Sequence, residues 1–211
     1  MFASTLTRTL RHSLLALALG ACASLASAAA LHVELDTSGL GSDGWIDLQF
    51  NAGNAGTALA FADLSHFVGF NGAIAAETAG SVSGDLASGF RIGNDGGWND
   101  LFHAIHLGGK VGFDVTFSGD ADPALSKLQT AFSVALYGNH DGTVVLGAPV
   151  AGDSLLTLNW TPATVPGAAG SIDGLAYDAG VASVSAVPEP SAWLMLGAGL
   201  AVVGVMRRRR A

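Results

Sequence analysis

The sequence predicts an all-β protein: a single antiparallel β-sandwich, jelly-roll-like, over residues 31–186, with a helical segment before it and another after it. Three observations carry that prediction. Apolar and polar residues alternate with a period of two in one segment after another, Gly, Asp and Asn punctuate those segments, and the long apolar stretches are concentrated at the two ends of the chain. Alternation gives a strand one dry and one wet face, and two such sheets closing over their dry faces make a sandwich. A body of about 150 residues suits one domain.

Residues 1–30 read as a signal peptide. "MFASTLTRTLRH" supplies a positive flank, "SLLALALGACASLA" an apolar stretch and "ASAAA" the small residues that signal peptidase accepts, with cleavage expected between Ala28 and Leu31 after passage through the Sec machinery. A competing route starts from "LGAC" at Leu19 to Cys22, which resembles a lipobox; a lipid on Cys22 would add an N-terminal anchor. Cys22 is the only cysteine, so a mature chain cut after Ala28 has no disulfide to staple it.

Strands follow in order. In "LHVELD", Leu31, Val33 and Leu35 alternate with His32, Glu34 and Asp36; in "WIDLQF", Ile46, Leu48 and Phe50 alternate with Asp47 and Gln49. "SHFVGF", "GDLASGFRIG" and "LFHAIHLGG" add further strand-like runs. "KVGFDVTFSG" places Val111, Phe113, Val115 and Phe117 on one face, and "AFSVALYG" does the same with Phe132, Val134 and Leu136. "GNHDGT" reads as a hairpin turn, and "TVVLG" and "SLLTLNW" as later strands. Two segments break the pattern. "ADPALSKLQTA" predicts a short helix or ordered turn, with Asp122 as N-cap, Pro123 in the first position and Leu125 and Leu128 three apart. Residues 161–180, rich in Pro, Gly and Ala, read as a loop.

The tail begins with Val187-Pro188-Glu189-Pro190, whose prolines fit neither helix nor sheet interior and favour an extended, accessible strand of chain. Residues 192–206 are uncharged and mostly apolar; as a helix they reach about 22 Å at about 1.5 Å per residue, against a hydrocarbon core of about 30 Å. Such a helix spans the membrane only marginally, helped by Trp193 at one interface and by Arg207, Arg208, Arg209 and Arg210 snorkelling at the cytoplasmic side. This order of motif, apolar helix and basic stop resembles the PEP-CTERM sorting signal of Gram-negative bacteria. The resemblance covers residues 187–211 and implies an exosortase as partner. It further implies processing near Pro-Glu-Pro, a transient stay in the inner membrane, and delivery to the cell surface or exopolysaccharide matrix. Tails of this kind are also labelled after ice-binding proteins, but the body shows no regular Thr-x-Thr array.

Charge narrows the function of the body. Residues 31–186 hold 16 of the 17 acidic residues and only Arg91, Lys110 and Lys127 as cations, a net −13. That surface repels nucleic acid and anionic lipid. His103 and His106 would align on a helix but point to opposite faces of a strand, so their spacing does not make a metal pair. Asp36, Asp43, Asn94, Asp95, Asn99 and Asp100 lie in turn-rich stretches. Asx turns explain them by default, and calcium, with its preference for oxygen ligands, is the alternative; no other cofactor is expected. Nucleophile elbows, phosphate-cradling loops and dinucleotide fingerprints are missing from the sequence. The expectation is therefore a non-enzymatic structural or adhesive domain. A carbohydrate-binding module is the main competitor, and it requires Trp45 or Trp98 exposed beside an Asp cluster. A secreted hydrolase comes third and requires a cleft with converging carboxylates or histidines.

Overall fold

A computed structural model describes residues 30–124 and 129–187. The predicted signal peptide up to Ala29, the transmembrane helix predicted for 192–206 and the predicted basic stop Arg207–Arg210 lie outside the described residues, as do Pro188, Glu189 and Pro190 of the predicted sorting motif. Among the described residues the chain is all-β, with two antiparallel sheets and no helix.

The strands are β1 (Leu31–Asp36), β2 (Asp43–Ala52), β3 (Ala60–Val68), β4 (Glu77–Ala79), β5 (Val82–Asp85), β6 (Gly89–Gly93), β7 (Asp100–His106), β8 (Lys110–Gly119), β9 (Thr130–Tyr137), β10 (Leu156–Thr161), β11 (Ser171–Tyr177) and β12 (Ala182–Ala186). The first sheet has the order β12-β1-β8-β3-β6-β5 and the second β11-β10-β9-β2-β7-β4. β1 pairs with β8, β2 with β7 and β3 with β6, a nested set that arises when a long hairpin rolls up on itself.

The alternation in the sequence is the reason the sheets share a core. Val33 and Leu35 of β1, Ile46, Leu48 and Phe50 of β2, Val111, Phe113, Val115 and Phe117 of β8, and Phe132, Val134 and Leu136 of β9 are all fully buried in one apolar cluster. Phe117 of the first sheet meets Phe50 and Phe132 of the second at centroid distances of 5.5 and 5.6 Å, so aromatic rings tie the layers together. Trp160 is 1% exposed. Two glycines make room for it: a Cβ on Gly119 would stand 2.5 Å from its ring, and one on Gly170 2.6 Å.

Two segments differ from the sequence expectation, and a third is described only in part. Ser171–Tyr177, inside the stretch read as a loop, forms β11 and pairs with β10. Its small and polar residues, mostly exposed, and Gly174 at φ +62° hide the alternation, as befits a sheet edge with little to bury. "TVVLG" is not a strand; Val145 makes a single bridge to Tyr137. There the turn is fastened by Asn139, whose side-chain oxygen accepts the N–H groups of Thr143 and Val144. In "ADPALSKLQTA", Pro123 and Ala124 form a turn, with the Ala124 N–H donating to Asp122, while 125–128 lie outside the described residues.

The two ends of the described chain emerge together. Leu31 is the register partner of Ala186, and the Val187 N–H donates to the Ala30 carbonyl at 2.8 Å.

Candidate functional site

The outer face of the second sheet carries an acidic cleft. On β2, Trp45, Asp47 and Gln49 point away from the core because Ile46, Leu48 and Phe50 point into it. Antiparallel register sets Asp47 between Phe102 of β7 and Ala135 of β9, and Gln49 between Asp100 and Ser133. Trp98, in the approach to β7, and the 151–154 turn, where Gly152 adopts φ +56°, complete the walls. The cleft measures about 270 Å³ and is lined by Asp47, Trp98, Ser133, Tyr137, Asp153 and Ser154, among others.

Asp47 forms its floor. The residue is only 8% exposed. Its Oδ2 accepts a 2.7 Å hydrogen bond from Gln49 Nε2, whereas Oδ1 is buried with no hydrogen-bond partner. Burial pushes the carboxyl up to about 6; the Gln49 hydrogen bond opposes the rise, and the charge of Asp100 adds to it. Asp100 is raised as well, chiefly by burial, against a hydrogen bond donated by Trp98 Nε1 at 3.1 Å. The Tyr137 phenol is raised first by burial, then by the carboxylates of Asp47 and Asp153, the latter also its hydrogen-bond acceptor. Trp98 itself is 55% exposed.

One row along the sheet, Trp45 stacks on Phe102 at 4.9 Å and an interplanar angle of 12°, and His140 lies against the same indole at 4.5 Å. His140 Nε2 in turn meets Glu77 at 2.6 Å. Trp45 is thus a half-buried part of an aromatic ledge and Trp160 belongs to the core, which leaves Trp98 as the open indole of the body.

The other candidates are placed as follows. His103 is buried, with Nδ1 near the Ala104 carbonyl and its ring against Phe70, while His106 is exposed beside Asp43; they lie on opposite faces of β7. Several of the Asp and Asn residues considered for calcium are engaged within the fold or spread along it. Asn94 is buried, with Oδ1 accepting from the Ala60 N–H and Nδ2 donating to Ala58 O and Thr130 Oγ1. Asn99 is buried and bonded to Ser81, Phe50 and Asn51. Asp36 is held at about 2 by hydrogen bonds from Ser38 and by Lys110. Asp43 and Asp100 sit at opposite ends of the β2–β7 pairing, roughly 20 Å apart along the strands. Among the described residues no group of three or more His, Cys, Asp or Glu is arranged to hold a metal ion.

A second cluster lies on the outer face of the first sheet. Asp114 of β8 is bracketed by His32 Nδ1 at 2.6 Å and His66 Nδ1 at 2.8 Å. His66 has φ +54° at the irregularity in the β3–β8 register. Neither histidine-carboxylate contact was visible in the sequence, because the partners are 82 and 48 residues apart.

Val187 leads directly from β12 into the tail. Residues 186–210 match the family model of the PEP-CTERM protein-sorting motif. This motif implies an exported protein that is anchored transiently in the membrane and processed by an exosortase. The match spans Val187, Pro188, Glu189 and Pro190 and the arginines at 207–210, and it overlaps the sheets only at Ala186, the last residue of β12. No curated protein matches the chain, and no solved structure matches it.

Proposed function

We propose that this is a structural and adhesive protein of the bacterial surface or exopolysaccharide matrix, delivered there by exosortase, whose jelly-roll-like β-sandwich is not an enzyme. The observation that carries the reading is the sorting-motif match at residues 186–210, which begins at the final residue of the last strand. Two features support it. The acidic body keeps an exported domain soluble and away from anionic lipid, and the hydrogen bond between Val187 and Ala30 brings the two ends of the described body together, next to the segments where processing is expected. The test is to replace Pro188, Glu189 and Pro190 together with Ala, Gln and Ala in the full chain and to fractionate the cells. The variant should accumulate in the membrane fraction while the parent chain is released. Equal release of both would sink the sorting reading.

A carbohydrate-binding role is the second reading. It is favoured by the exposed Trp98 beside Asp100 at the mouth of the cleft.

A further inference from the structure

The unpartnered Asp47 Oδ1 is a feature that folding alone does not explain. A buried polar atom without a hydrogen bond costs stability, and nearly all such atoms find partners. Asp47 lines an open cleft, and because Oδ1 itself is covered, a partner from outside reaches it with a turn of the carboxylate about its soft terminal torsion. The surrounding groups say what kind of partner. Each carboxylate around the cleft already receives one donor from a neutral group: Gln49 to Asp47 Oδ2, Trp98 to Asp100 and Tyr137 to Asp153. What remains is the unpartnered Asp47 Oδ1 at the floor, the second oxygens of Asp100 and Asp153, and the hydroxyls of Ser133 and Ser154, with an open indole at the rim. Anions are repelled by three carboxylates. The carboxylates are not among any group arranged to hold a metal ion in the described residues, and an organic cation is the competing ligand that the cationic probe below tests. A neutral hydroxyl-rich ring with an apolar face fits all parts: a hydroxyl donates into the floor, the serines bond either way, and the ring covers the indole. The cleft volume of about 270 Å³ lies at the lower edge of small-ligand sites, which suits one ring of a chain that continues into solvent.

We propose that this cleft is a carbohydrate-binding subsite: one neutral sugar ring stacks on Trp98, and one of its hydroxyls donates a hydrogen bond to Asp47 Oδ1. The proposal rests on the adhesive reading above and gives it a contact point. Asp47 has a folded-state pKa of about 6, raised mainly by burial, and a hydroxyl donor would stabilise its charged form, so binding should strengthen as pH rises from 5 to 7. The groups facing Asp47 are Asp100, Asp153 and Tyr137, and none brings a positive charge that would reverse this trend.

The test titrates the full chain, recovered after export, with cellotetraose, maltotetraose, xylotetraose, chitotetraose and the cationic chitosan tetrasaccharide, following heat and tryptophan fluorescence at low and high salt. At least one neutral tetrasaccharide should bind saturably with little salt dependence. Trp98→Ala should weaken it about tenfold or more, and D47N by about threefold or more. Arg91→Ala, on the other sheet, should leave it unchanged. No binding by any neutral probe overturns the proposal. Binding undiminished in both cleft variants overturns the assignment of the cleft while leaving adhesion through another face intact. Binding of the cationic probe alone, lost at high salt, overturns the ligand class. Release of shorter oligosaccharides over time overturns the non-catalytic role.

Discussion

Replacing Asp47 with asparagine should make the protein more stable at neutral pH. The side chain keeps its shape and can still accept from Gln49, but it no longer brings a charge into the cleft floor. The carboxyl is raised from 3.8 to about 6, and at about 1.36 kcal/mol per pKa unit the charged form costs roughly 3 kcal/mol of stability above pH 6. Water entering the cleft reduces that figure, so a gain of about 2 kcal/mol is expected, a rise in Tm of roughly 4–8 °C for a domain of this size. The sign follows from linkage. The folded state binds the Asp47 proton more tightly than the unfolded state. Its contribution is therefore most favourable below about pH 4, falls as pH rises through 6, and is constant above. The assay is thermal unfolding of parent and D47N from pH 4 to pH 8. The gap between them should be near zero at pH 4 and fully open by pH 7. Equal stability at pH 7, or a gap that persists unchanged at pH 4, would refute the burial argument for Asp47. A stabilising substitution at this position would also mark it as a residue whose place in the fold is set by binding rather than by folding.

Two further substitutions probe the interior. Trp160→Ala should cost about 3–5 kcal/mol in urea unfolding, because Gly119 and Gly170 are shaped around the ring and cannot collapse into the space it leaves. Asn94→Ala removes the partner of the Ala60 N–H, the Ala58 carbonyl and the Thr130 hydroxyl at once, and should cost about 2 kcal/mol or more by the same measurement.

Much of the fold was legible because a buried face leaves a period-two trace. "KVGFDVTFSG" coincides with β8 and "LHVELD" with β1, and apart from the half-buried Leu31 their alternating apolar positions are buried. β11 escaped because an exposed edge strand buries too little to leave that trace, and "TVVLG" misled because apolar residues can close a turn without pairing as a strand. The sorting tail was legible because its order along the chain is itself the signal. The cleft was not. Alternation put Asp47 on the outer face, which is where it lies, but nothing local says that a turn 104 residues later folds over that face and dries it. Trp98 is separated from Asp100 by one residue, so that contact was within reach of the sequence; the link to Asp47, Tyr137 and Asp153 depends on strand register.

Mass spectrometry of the mature protein from the cell-surface or released fraction tests the central claim most directly. The account predicts a new N-terminus between Ala28 and Leu31 and a new C-terminus near Glu189 or Pro190, leaving the two sheets whole and removing the apolar helix and arginines. An intact tail ending at Ala211 in that fraction would contradict it and make the tail a permanent anchor.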